Sequence, residues 1–253
     1  MQLANRKGLI IGVANTQSIA AGCARAFRDE GAALALTYLN DKAKPHVAEV
    51  AEEVGAAALL PLDVEDEAQF DAVFDWIASN WGELDFVLHS IAFCPKEDLH
   101  ARVVDASRAG FGRAMDVSCY SLIGAARRAE SLMKKGGCLL TVSYYGAEKV
   151  VDNYNLMGPV KAALEGVTRY LAADLGKSGI RVNALSPGPV RTRAASGIAH
   201  FDTLIDAAAQ RAPQHDLVSI EDVGAYAAFL VSDAARHVTG DVAYIDAGYH
   251  IMS

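Results

Sequence analysis

Short apolar runs alternate with helix-period segments along nearly the whole chain, and this alternation narrows the fold more than any other feature. Leu9-Ile10-Ile11 leads through a glycine turn into a helix that begins near Ser18. That helix carries Ile19, Cys23, Ala26 and Phe27 on one side and stops at Gly31. Ala33 to Tyr38 reads as a second strand, Lys42 to Val54 as a second helix and Ala57 to Leu62 as a third strand. Glu67 to Asn80 is amphipathic, with Phe70, Val73, Phe74 and Ile77 as its apolar stripe. Asp85 to Ala92, Cys138 to Ser143, Ile180 to Leu185 and Val242 to Ile245 complete the strands. A long helix around Phe111 to Met133 and another from about Gly158 to Leu175 fall between them. Ser219 to Asp222 resembles a capping box ahead of Val223 to Val231. Strands separated by helices build right-handed crossovers and a parallel sheet covered on both faces. No linker, repeat or low-complexity tract interrupts the pattern, so residues 1–253 are expected to form one doubly wound α/β domain.

Composition narrows the partners. Hydrophobic residues make up 52% of the chain, enough for a sizeable core. The 23 basic and 31 acidic residues give a net charge of −8, which argues against a nucleic-acid partner. Cys23, Cys94, Cys119 and Cys138 are far apart, and the seven histidines are scattered. No metal is expected, and a reduced, cytoplasmic protein fits best. Arg6-Lys7 runs straight into the first strand, unlike a signal peptide. No apolar run reaches the roughly 18 residues of a membrane span.

Candidate cofactor contacts cluster at strand ends. In the first turn, Gly12 permits a sharp bend, small Ala14 and Ala20 permit close approach to a pyrophosphate, and Ser18 caps a helix whose N-terminus attracts that anion. The turn departs from G-x-G-x-x-G, and by itself it also fits an ordinary strand–turn–helix. Asp63-Val64 follows the third strand, where such folds place the adenine ring; Asp63 is equally readable as a helix cap. Ser90, Ile91 and Ala92 end the fourth strand, where open parallel sheets bind ligands. The second strand ends in Thr37-Tyr38-Leu39-Asn40-Asp41-Lys42, with no arginine for a 2′-phosphate. NADH is therefore favoured over NADPH, which Lys42 keeps open.

The segment from Ser143-Tyr144 through Tyr154 to Lys161, taken with these turns and with Pro187-Gly188-Pro189-Val190-Arg191-Thr192, resembles the short-chain dehydrogenase/reductase superfamily. Within it, the chain resembles the divergent branch of bacterial enoyl-[acyl-carrier-protein] reductases, from Lys7 to Gly248. Carbonyl-reducing members place a tyrosine four residues before the lysine and a serine thirteen before that tyrosine; here those places hold Met157 and Tyr144. What remains is Tyr154, seven residues before Lys161, and if the intervening backbone is helical both share a face about 10 Å apart. Pro159 fits only in a first helical turn, so the helix should start near Asn155 to Gly158 with Tyr154 at its mouth.

The resemblance implies a Rossmann-like fold and hydride transfer from NADH to C3 of a trans-2-enoyl thioester of fatty-acid synthesis, carried on acyl carrier protein. It implies that Tyr154 stabilises the enolate, that Lys161 holds the nicotinamide ribose and that Tyr144 is a secondary catalytic candidate. Gly12, Ala14, Ser18, Ile19, Leu39, Asp63, Val64, Ser90, Ile91, Ala92, Val190 and Thr192 are the implied cofactor contacts, although Leu39 stands where a polar side chain is usual. A substrate lid over about 192–210 and a homotetramer are also implied. A carbonyl reductase and a cofactor-binding protein without turnover are the competing readings.

Overall fold

The computed structural model describes residues 1–190, 192 and 201–252. A seven-stranded parallel sheet is built from β1 (Lys7–Ile11), β2 (Ala33–Tyr38), β3 (Ala58–Pro61), β4 (Phe86–His89), β5 (Gly137–Val142), β6 (Ile180–Pro187) and β7 (Val242–Ile245). The strand order is β3-β2-β1-β4-β5-β6-β7, with β1 paired to both β2 and β4. The chain therefore winds outward in two directions from the β1–β4 pair. Such a reversal leaves a crevice at the carboxyl ends of the strands, where this architecture binds ligands.

Side-chain alternation explains why both faces are covered. Ile10, Phe86, Leu88 and Leu140 join one apolar layer with α1 (Ile19–Asp29), α2 (Lys44–Glu53) and α9 (Ile220–Val231). Leu9, Ile11, Val87 and Leu139 face the other layer, against α3 (Glu67–Asn80), α6 (Ser121–Glu130) and α7 (Met157–Leu175). The stripe Phe70, Val73, Phe74 and Ile77 of α3 is buried there. Ser18 caps α1 by accepting from the Ala21 amide, and Ser219 with Asp222 forms the capping box of α9.

Helices α1 and α9 touch through glycines. A Cβ on Gly22 would lie 2.3 Å from the Ile220 carbonyl oxygen, and one on Gly224 would lie 2.5 Å from that of Gly22. Gly22→Ala should therefore force the helices apart. Overpacking of this kind costs about 1–3 kcal/mol, and melting should fall by about 2–4 °C for each kcal/mol in a domain of this size. An unchanged melting temperature in a thermal scan would contradict the close approach.

Two elements differ from expectation. The long helix around Phe111 to Met133 is broken into α5 (Arg108–Met115), a π turn (Asp116–Tyr120) and α6. The reason is polar: Ser118 Oγ accepts from the Phe93 amide and donates to the Phe93 carbonyl, while Ser121 Oγ donates to Val117 and meets His89 at 2.7 Å. The extra residue per turn rotates these hydroxyls toward the strand ends. A short helix unseen in the sequence, α4 (Lys96–His100), follows β4 and buries Asp98, which accepts from the amide and hydroxyl of Ser107. Among the described residues, no helix is long and apolar enough to cross a membrane.

Of the lid expected over about 192–210, residues 193–200 lie outside the described residues, as does Arg191. The remainder falls largely within α8 (Phe201–Arg211), where Ile205 and Ala208 are buried.

Candidate active site

The crevice is set by Gly12. Its φ of +97° turns the chain off β1, and a Cβ there would stand 2.2 Å from the Ser90 carbonyl oxygen beyond β4. The two strand ends are thus held together, with the Ser90 amide donating to Ile11. Beside them lies a cavity of about 300 Å³, walled by the ends of β5 and β6, the start of α7 and the loop after β4.

Tyr154 and Lys161 both line this cavity, but by a different route from the continuous helix considered above. Residues 152–156 form a turn in which Asn153 and Asn155 adopt φ of 63° and 42°, and α7 begins only at Met157. Asparagine tolerates this left-handed backbone, and the Asn155 side chain pins the turn by donating to the Leu99 carbonyl at 2.8 Å. Pro159 does sit in the first turn of α7.

Burial dominates the electrostatics. The Tyr154 phenol is pushed well above its ordinary value by burial, then by Tyr144 and Glu165, so it stays a neutral donor. Its ring packs edge-on to Tyr144 with centroids 4.9 Å apart. The Tyr144 hydroxyl is buried without a hydrogen-bond partner among the described residues, an expensive arrangement in an apolar wall. Lys161 is pushed down to about 8, chiefly by burial, with Cys119 and Glu165 opposing. Its Nζ donates to the Val142 carbonyl at 2.6 Å. His89 lies fully buried beneath, between Thr141 Oγ1 and Ser121 Oγ, and burial followed by Lys161 pushes it down to about 3.

The model of a family described as enoyl-(acyl carrier protein) reductase matches residues 12–250. The chain belongs to that family. Among relatives, it is 49% identical to an enoyl-[acyl-carrier-protein] reductase [NADH] of Rhizobium meliloti, over 98% of this chain and 91% of that protein. Among solved structures, it resembles the Anaplasma phagocytophilum reductase in complex with NAD. The TM-score is 0.96 at 47% identity, covering all of this chain and 97% of the other. It also resembles the Bacillus cereus enoyl-acyl carrier protein reductase with NADP+ and an indole naphthyridinone, with TM-score 0.97 at 42% identity, covering 100% and 99%.

In this enoyl reductase, Ile19, Ala92, Tyr144, Val190 and Thr192 share the cavity wall with Tyr154 and Lys161. Gly12 and Ala14 after β1, Ser18 at the N-cap of α1, and Ser90 and Ile91 after β4 stand outside that wall; Ile91 packs into the core on the α3 side. Leu39 follows β2 and is 55% exposed. After β3, Val64 packs on the α3 side, and the Asp63 side chain accepts from the Glu65 amide. These positions follow the sheet order away from the cavity, from β4 across β1 to β2 and β3.

Phe93, Leu99, Val142 and Leu204 line the cavity without having been singled out in the sequence, and Met157, read there only as a missing acid, lines it too. The apolar Ile91-Ala92-Phe93-Cys94 run was the signal available for this wall. Glu165, buried behind it, gave none beyond its place four residues after Lys161.

Proposed function

We propose that this chain, acting in the cytoplasm as a homotetramer, reduces the C2=C3 bond of a trans-2-enoyl thioester on acyl carrier protein with NADH. The observation that carries the reading is Tyr154 and Lys161 on one cavity wall, with Met157 where a carbonyl reductase needs an acid.

The residues present fit a dinucleotide. Lys161 has three donors and gives one to Val142, leaving two, the number that a ribose diol accepts. The first turn of α1 presents backbone N–H groups, of which Ser18 takes that of Ala21. The hydroxyl of Ser186, at the end of β6, is buried without a partner among the described residues. Gly12, Ala14, Ser18, Ile19, Ser90, Ile91, Ala92, Val190 and Thr192 would hold the cofactor's centre and nicotinamide end. Leu39, Asp63 and Val64 would meet its adenosine. The β2 end holds no arginine for a 2′-phosphate, which favours NADH.

NADH supplies the hydride for C3 of the substrate. Tyr154 donates its hydroxyl to the thioester oxygen as negative charge develops there, and Tyr144 borders the same chamber. Lys161 places a positive charge behind them. Phe93, Leu99 and Leu204 give the acyl chain an apolar wall, and the segment about 192–210 would cover it.

The deciding assay follows NADH oxidation with crotonyl and acetoacetyl thioesters. Crotonyl turnover with no acetoacetyl turnover is expected; the reverse would make the protein a carbonyl reductase. Binding of NADH with neither turnover would leave a cofactor-binding protein.

A further inference from the structure

Glu165 is a deeply buried carboxylate behind the cavity with no part in the chemistry above. It lies in α7, one turn after Lys161, and is 4% exposed. Its Oε1 accepts the Ser143 hydroxyl at 2.5 Å. Ser143 directly follows β5, and the residue before it, Val142, receives Lys161 Nζ on its carbonyl. Two side chains four apart on α7 therefore grip two consecutive residues at the end of β5, and the next residue is Tyr144.

We infer that Glu165 is a positioning residue for the reductase reaction, holding the end of β5 through Ser143 so that Tyr144 and Lys161 keep one fixed relation across the cavity. This rests on the reading of the site given above. The backbone there is already laddered to β6, with the Ser143 amide donating to the Leu185 carbonyl at 2.7 Å; the Glu165 bond adds a hold on the Ser143 side chain and ties α7 to the point from which Tyr144 departs. Misplacement of reacting groups by about 1 Å can cost up to about a hundredfold in rate, even when the residue at fault lies outside the reaction.

The charge of Glu165 has a second effect. Lys161 faces Cys119 from the π turn, His89 from β4 and Glu165 from its own helix. Cys119 and then Glu165 favour the ammonium against its burial, and of the two Glu165 is the carboxylate; burial keeps the His89 imidazole neutral. Glu165 itself faces Ser143, Glu148 beyond β5, Arg169 and Lys161 along α7, and the phenols of Tyr154 and Tyr244. Burial raises its carboxyl first, and the Ser143 hydrogen bond opposes.

The test compares Ser143→Ala, Glu165→Ala, the double variant and Glu165→Gln in the full chain. Each alanine should lower kcat for crotonyl thioester about tenfold with KM little changed, and the double should fall no further, because both remove one bond. Glutamine can still accept from Ser143, so Glu165→Gln should restore most of the turnover lost in Glu165→Ala. Having lost the charge, it should also move the alkaline loss of NADH affinity to lower pH. Lower melting temperatures with kcat and the pH profile unmoved would reduce Glu165 to core support and overturn the inference. If Glu165→Ala fails to fold, Ser143→Ala and the pH profile of Glu165→Gln decide. A parent protein without crotonyl turnover sinks the functional reading instead; an active parent, impaired by Tyr154→Phe but indifferent to these variants, sinks only this one.

Discussion

Replacing Tyr154 with phenylalanine is expected to cut turnover of a crotonyl thioester about a hundred- to a thousandfold at saturating substrate, the size of effect seen on losing one donor to a developing oxyanion. The size follows from where the phenol sits. Tyr154 is 8% exposed and lines a largely apolar chamber, where a lost donor costs more than it would in open water. Burial also holds the hydroxyl protonated at any working pH, so it is always able to donate. The ring should stay in place without its oxygen. It is wedged against Gly146, where an added Cβ would fall 2.6 Å from the Tyr154 ring, and against Tyr144 on its other contact. Steady-state NADH oxidation reads the effect directly, and a rate within threefold of the parent would strip Tyr154 of its role.

Lys161→Met should weaken NADH binding about a hundredfold, which is what roughly 3 kcal/mol from charged hydrogen bonds amounts to. Methionine keeps most of the buried stem while removing the ammonium. The pH dependence sharpens the test. In the parent, NADH affinity should fall as pH rises through about 8, where the buried ammonium loses its proton; in the variant that dependence should vanish. Stability moves the other way. The folded chain binds the Lys161 proton less tightly than the unfolded chain, whose ordinary value is 10.5. The resulting penalty on the native state is fully present below about 8 and is relieved as pH rises toward 10.5. At pH 7 without cofactor, Lys161→Met should therefore melt no lower than the parent, and its advantage should shrink above pH 8. Fluorescence titration of NADH and thermal scans across pH 6–10 check both halves. Parent-like affinity in the variant would rule out the ribose contact.

Legibility varied with the kind of signal. Strand and helix positions were readable wherever apolar periodicity was strong: β2, α3 and β7 match to the residue, and the other strands to within a few. The break at Asp116–Tyr120 was hidden because Ser118 and Ser121 look like ordinary helix residues until His89 at the end of β4 and Phe93 in the loop after it arrive beside them. The Tyr154–Lys161 pair was visible by spacing, but the turn with two left-handed asparagines was not, since the same spacing also fits a helix. Phe93, Leu99 and Leu204 looked like any apolar residues.

Local sequence determined the alternation of strand and helix, the caps at Ser18 and Ser219, the start of α7 near Pro159 and the residue types available for chemistry. These depend on periodicity and backbone preference, which act over a few neighbours. Only the tertiary structure decided that β1 and β4 lie side by side, that Tyr144, Tyr154 and Lys161 face one chamber and that Glu165 grips Ser143 beneath it. Those outcomes depend on contacts between distant segments and on burial. Burial is also what turns a common lysine and a common tyrosine into a weakened ammonium and a permanent donor.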